Sequence, residues 1–272
     1  MHVFRQYKLL LPLIVCTAIT VFLGIVLLVS GDKEPTPNRE TEPADTQTET
    51  EAPTMENPIF NTDLSAYEDY MDTPAGKYLI LVNKTHPLDG NYAPEDPIPV
   101  RDARKDISLD RTAAMALEAM FNEMRAAGLR DVFVTSAYRS YQYQSGLFNT
   151  YIQNEMKADR TISEAEARER VLRYSAYPGT SEHQTGLCVD LMTDGMRELD
   201  ESFADYPVFD WLQQNAWKFG FVLRFPADKT EITGYDYEPW HYRFVGRYDA
   251  YMIHSRGLCL EEYVDSLQGE EQ

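Results

Sequence analysis

Ser181-Glu182-His183-Gln184-Thr185-Gly186-Leu187-Cys188-Val189-Asp190 is the stretch from which the rest of the chain can be read. It offers an imidazole at 183 and a carboxylate at 190, with a glycine between them. Where such a segment runs from a turn into a strand, both side chains can reach one metal ion, and the glycine lets the backbone pass close behind. His183 alone would be read as a packed histidine. Asp190 is harder to place in that way. It sits in the apolar run Leu187 to Met192, and a carboxylate there is costly unless it is paired, hydrogen-bonded or bound to a cation.

A second stretch, Glu238-Pro239-Trp240-His241, supplies a third ligand and a carboxylate three residues before it. Two nitrogens, one carboxylate oxygen and an open fourth position are what a catalytic zinc requires. Zn2+ is therefore the expected cofactor, on His183, Asp190 and His241. Glu238 is placed to take a proton from a water whose pKa the metal lowers from about 16 toward about 7.

Arg139 follows the apolar run Asp131 to Ser136 and precedes a helical pattern, at a junction where ligand-binding residues are common. Its guanidinium can grip a carboxylate through two parallel hydrogen bonds, as recognition of a chain end demands. Gln144 and Ser181 are expected to add neutral hydrogen bonds to a substrate.

Around these motifs the chain alternates helices and strands without the regular spacing of a parallel sheet and without a glycine-rich phosphate loop. The expected class is α+β, one domain with a mainly antiparallel sheet flanked by helices. Lys77–Asn83 reads as a buried strand, Asp110–Ala127 as an amphipathic helix stopped by Gly128, and Asp131–Ser136 as a strand. A second helix follows Ser140, with Tyr143, Leu147, Tyr151 and Ile152 on its inner face. Ser163-Glu164-Ala165-Glu166 is a capping box that opens a charged helix to Tyr174. Leu187–Met192 reads as a strand, Phe209–Phe219 as a helix ended by Gly220, and Phe221–Phe225 and Trp240–Val245 as strands.

The 272 residues carry a formal charge of −19, which argues against nucleic acid or acidic phospholipid as the main partner. Residues 9–30 are almost wholly apolar, long enough to span a bilayer, with Arg5 and Lys8 before them. A cleaved signal peptide is the rival reading. The run exceeds the usual apolar core of about 7–15 residues and no small-x-small site follows closely, which favours an uncleaved anchor. Residues 1–8 are then a cytoplasmic tail, and the rest of the chain lies outside a cell membrane that it crosses once. Residues 31–60, rich in Glu, Thr and Pro, cannot bury enough apolar surface to order themselves and read as a flexible tether. The folded domain is assigned to 61–272, and a monomer is expected. Cys188 and Cys259 could form a disulfide, or Cys188 could be a small core residue beside the metal.

Ser136-Ala137-Tyr138-Arg139-Ser140, the 181–190 stretch and Glu238-Pro239-Trp240-His241-Tyr242-Arg243, in that order, resemble the motifs of VanY-type D-alanyl-D-alanine carboxypeptidases. Those are zinc peptidases of the lysostaphin/D-Ala-D-Ala carboxypeptidase/Hedgehog group, and the resemblance extends over about residues 77–265. It implies zinc on His183, Asp190 and His241, Glu238 as general base and acid, and Arg139 orienting the terminal carboxylate of a peptidoglycan stem peptide. Family members cut either the D,D bond of a pentapeptide or the L,D bond of a tetrapeptide, and the motifs do not choose between them. Cys188 stands where the family usually has alanine, and Ala137 where it often has glycine. A cross-link endopeptidase and a non-catalytic zinc-bearing wall-binding module are the alternatives; Arg139 argues against the first and Glu238 against the second.

Overall fold

Leu187, Val189 and Leu191 alternate with Cys188, Asp190 and Met192 along one strand, and this period of two sorts the molecule into a core side and a site side. The computed structural model describes residues 54, 55 and 57–269. The four-stranded sheet runs in the order β3 (Val132–Ser136), β4 (Cys188–Thr193), β6 (His241–Phe244) and β5 (Phe221–Leu223), every neighbour antiparallel. Two short strands, β1 (Pro97–Pro99) and β2 (Ser108–Asp110), pair separately.

The helices are α1 (Glu68–Met71), α2 (Arg111–Ala126), α3 (Tyr141–Ala158), α4 (Glu164–Tyr174), α5 (Pro207–Asn215), α6 (Thr230–Thr233), α7 (Arg247–Arg256) and α8 (Leu260–Gly269). Helix α2 starts where the Asp110 carboxylate accepts from the amides of Thr112 and Ala113. Its Ala116, Leu117, Met120 and Phe121 pack with Val134, Leu187, Val189, Leu191, Phe221, Tyr242 and Phe244 in the main core. Each large side chain so buried contributes about 1.5–3 kcal/mol. The opposite sheet face is left to Cys188, Asp190, His241 and Arg243, the register pairing Asp190 with His241 and Cys188 with Arg243.

The α+β class and the antiparallel sheet agree with the sequence reading, as does the capping box of Ser163 and Glu166 at the start of α4. Other expectations change. Residues 77–83 form no strand among the described residues; the carbonyls of Tyr78 and Ile80 accept instead from the Arg243 guanidinium, at 2.9 and 2.8 Å. The buried residues of α3 are Gln144, Phe148 and Ile152; Ile152 lies on the inner face as expected, with Tyr151 partly buried beside it, but Tyr143 is 58% exposed and Gln144 takes the inward place. Phe148 and Ile152 pack with Ala167 and Val171 of α4 in a small core of their own. Helix α5 gives way to a 3-10 turn over Ala216–Phe219 before Gly220.

Phe60, assigned from sequence to the tether, packs against Phe219 with the rings tilted and their centroids 5.3 Å apart. Cys188 and Cys259 are both buried and unpaired. The apolar run 9–30 and most of the tether lie outside the described residues; no helix among those described is long and apolar enough to cross a membrane.

Gly186 is the tightest point of the motif. It adopts φ +70°, and a Cβ there would lie 3.0 Å from Pro94 Cγ and 3.2 Å from the Asp110 nitrogen, whose N–H donates to the Gly186 carbonyl at 2.8 Å. Left-handed backbone and crowding both penalise any side chain. Gly186→Ala is expected to cost about 1–3 kcal/mol, read as a lowered thermal midpoint. An unchanged midpoint would show that the turn relaxes freely.

Candidate active site

His183 stands on a 3-10 turn, Glu182–Thr185, that enters β4 through Gly186. The turn is fixed from several sides. Gln184 Nε2 donates to the carbonyls of Asp89 and Tyr92, Thr185 Oγ1 donates to the Glu182 carbonyl, and the Leu187 amide donates to Thr185 Oγ1. The ring itself is anchored by Nδ1, which lies 2.6 Å from the Ala137 carbonyl. A proton on Nδ1 makes that bond and leaves the Nε2 lone pair free.

That Nε2 lies 3.2 Å from Asp190 Oδ2, while Asp190 Oδ1 lies 3.1 Å from His241 Nδ1. The two imidazoles meet nearly edge to face, centroids 5.0 Å apart. Glu238 closes the group, its Oε2 3.3 Å from His241 Nδ1. Its position follows from a turn in which the Glu238 amide donates to the Phe225 carbonyl and the His241 amide to the Glu238 carbonyl. The structure thus brings together His183, Asp190, His241 and Glu238.

Polar atoms here are left without partners. His183 Nε2 and Asp190 Oδ1 are both buried and neither makes a hydrogen bond. Buried polar atoms are normally satisfied, and a convergent set that is not marks a place for an ion. Two imidazoles and a carboxylate suit a borderline-soft divalent metal such as zinc, so the residues fit. Burial would raise the Asp190 carboxyl, but the adjacent His183 and His241 hold it well below the usual carboxylate range. Burial likewise opposes charge on the histidines. Asp190 outweighs burial and the repulsion of Arg139 to raise His183, and Cys188 and Asp190 lead in raising His241 well above its ordinary value. The Cys188 thiol, within 4.8 Å of a nitrogen of each histidine, is drawn down to about 7 by them despite burial.

The cluster lies in the wall of a cavity of about 790 Å³ that also takes in Arg139, Ser181, Tyr151, Arg197, Tyr237 and Trp240. Arg139 reaches it from just beyond β3. A register shift between Val134 and Ser136 alters the pairing of that strand, and the Arg139 amide donates to the His183 carbonyl. Its Nε is buried with no partner, so the guanidinium retains donor capacity. Gln144, buried on α3, donates from Nε2 to the Ala176 carbonyl at 2.7 Å, beside the Ser175–Ala176 segment of the cavity wall, and its Oε1 is buried without a partner.

Sequence reasoning missed Glu182. It is buried and accepts at Oε1 from Arg224 Nε (2.8 Å) and Arg243 NH1 (2.7 Å). Its signal was present: a second acidic residue in the motif besides Asp190, with arginines in or beside two apolar strands downstream.

Comparison with known proteins places these residues in context. Residues 106–247 match the VanY family, described as D-alanyl-D-alanine carboxypeptidase. A D-alanyl-D-alanine carboxypeptidase of Enterococcus faecalis is 38% identical over 211 residues, 78% of this chain and 74% of that protein. A putative carboxypeptidase of Bacillus subtilis, YodJ, is 38% identical over 199 residues, 70% of this chain and 68% of that protein. Among solved structures, a mutant of the vancomycin-resistance D,D-pentapeptidase VanY in complex with Zn(II) superposes with a TM-score of 0.59 at 37% identity. That alignment covers 69% of this chain and 98% of the other. The LdcB LD-carboxypeptidase gives 0.59 at 37% identity, covering 68% and 84%.

Both histidines are shifted upward, so a metal must compete with protons for their nitrogens. Titration of the metal-free chain with zinc in buffers of different ionisation enthalpy should show proton release, with affinity rising as pH rises. Binding that is independent of pH between about 5 and 8 would contradict this reading.

Proposed function

The chain belongs to the VanY family of D-alanyl-D-alanine carboxypeptidases, which are zinc metallopeptidases, and on that footing we propose that it removes the C-terminal D-alanine from peptidoglycan stem peptides. The observation that carries this is the convergence of His183, Asp190, His241 and Glu238 in the wall of a cavity that Arg139 shares. His183, Asp190 and His241 would hold the zinc. When bound, it supplies Lewis acidity toward the scissile carbonyl and lowers the pKa of a coordinated water.

The protein residues do the rest. Glu238, beside the ligands and on the cavity wall, takes the proton of the attacking water and delivers it to the leaving amine. Arg139 offers its guanidinium to the terminal carboxylate of the substrate, as an exopeptidase requires. Ser181, also on the wall, is available as a neutral hydrogen-bonding group. Negative charge growing on the carbonyl oxygen meets a site already ordered to receive it.

The solved neighbours include a D,D-pentapeptidase and an LD-carboxypeptidase at the same identity, so the bond cut is the finer question. The apolar run 9–30 supports a single-pass membrane protein whose catalytic domain is extracellular, tethered within reach of the wall.

Purified full chain of known zinc content, incubated separately with muramyl tetrapeptide and pentapeptide, should release D-alanine in a chelator-sensitive way. Release from the pentapeptide alone marks a D,D-carboxypeptidase and from the tetrapeptide alone an L,D-carboxypeptidase; release from neither with zinc bound sinks the proposal. Glu238→Gln should retain zinc and lose roughly a hundredfold to ten-thousandfold in kcat. Activity near wild type would place the base elsewhere.

A further inference from the structure

Two buried polar atoms face each other behind the ligand cluster without closing a hydrogen bond: Nε2 of His241 and Oε2 of Glu182, 3.8 Å apart. The other ring nitrogen of His241, Nδ1, is the one turned to Asp190 and Glu238. If Nδ1 gives its lone pair to a metal, the single proton of the neutral ring must sit on Nε2, and it then points at Glu182. Oxygen or backbone acceptors on the outer nitrogen of a metal-bound histidine set its tautomer and ring plane.

Glu182 is not free to turn away. Its Oε1 is gripped by Arg224 and Arg243, both with no exposed surface. Arg243 is itself fixed by the carbonyls of Tyr78, Ile80 and Phe244, and Arg224 by both oxygens of Glu261. Its other oxygen, Oε2, is therefore aimed by the two guanidinium groups and lies within a small ring movement of Nε2–H.

We propose that Glu182 is a positioning residue of the metal centre: it accepts the Nε2 proton of His241 and so fixes Nδ1 as the atom that meets the metal. The inference rests on the zinc reading above. The competing account is that Glu182 merely balances two buried arginines.

The two accounts separate in Glu182→Gln. The amide oxygen must stay with the arginines, because an NH2 there would oppose two donors. The amide nitrogen is then forced against His241 Nε2–H, so the substitution retains an acceptor for the arginines and specifically spoils the histidine contact. Glu261→Gln is the control, since the hydrogen bonds of Glu261 go to Arg224 and Asn83.

Zinc affinity of the full chain would be measured by chelator competition, with folding checked by circular dichroism. Glu182→Gln should bind zinc about 10–100-fold more weakly, while Glu261→Gln loses thermal stability and keeps wild-type zinc affinity. Equal loss in both, or none in Glu182→Gln, overturns the assignment.

Should Glu182→Gln not fold, the zinc-loaded wild type still decides it. Nitrogen-labelled histidine spectra should show the His241 proton on Nε2, protected from exchange. A proton on Nδ1, or one exchanging freely, overturns the proposal. A wild-type chain that binds no zinc would sink the metallopeptidase reading as well, whereas the other adverse results sink this inference alone.

Discussion

A guanidinium with no contact with water organises this molecule. Arg243 lies in β6, one of the two inner strands, on the face that also bears His241, and spends its donors on Glu182 and on the carbonyls of Tyr78, Ile80 and Phe244. Placing a charge there costs several kcal/mol unless all its bonds are made. They are made by two remote parts of the chain and by the next residue of its own strand, so the arginine ties the segment before β1 and the turn that carries His183 to the sheet. The ligand cluster inherits its precision from that tie.

The opposite sheet face is conventional, and the contrast explains the division of labour. Tyr242 and Phe244 pack with Phe221 and the apolar side of α2, where volume and shape decide the fit. Their neighbours His241 and Arg243 face the polar side, where hydrogen bonds decide it. One strand of four residues therefore serves stability through every second side chain and chemistry through the others.

Most of this was legible beforehand because its signals are local. The alternation in 187–192, the box at Ser163 and Glu166, and the stop at Gly128 are short-range rules. So are the spacings that mark His183, Asp190, Glu238 and His241. What escaped is long-range. Residues 77–83 have the apolar composition of a strand, but two of their carbonyls are claimed by an arginine 163 and 165 positions away. No periodicity reports such a partner. On the inner face of α3, Ile152 was read correctly but Tyr143 was put where Gln144 stands, because Gln144 faces inward to satisfy the Ala176 carbonyl and a polar residue does not advertise burial. Helices α7 and α8 went unassigned: α7 buries Arg247 and Asp249 alongside Ala250 and Ile253 and so lacks a clean apolar stripe.

The pairing of Arg224 with Glu261 also bears on the order in which the protein is made. Every side chain placed at the reaction centre lies between residues 139 and 241, so a ribosome has synthesised all of them well before α8 emerges. Until Glu261 arrives, the NH1 and NH2 groups of Arg224 lack the acceptors they have in the finished fold. The domain should then gain its final rigidity late, as its last helix docks. A chain cut short between 241 and 260 would carry the whole catalytic vocabulary and lack the clasp that holds it in place.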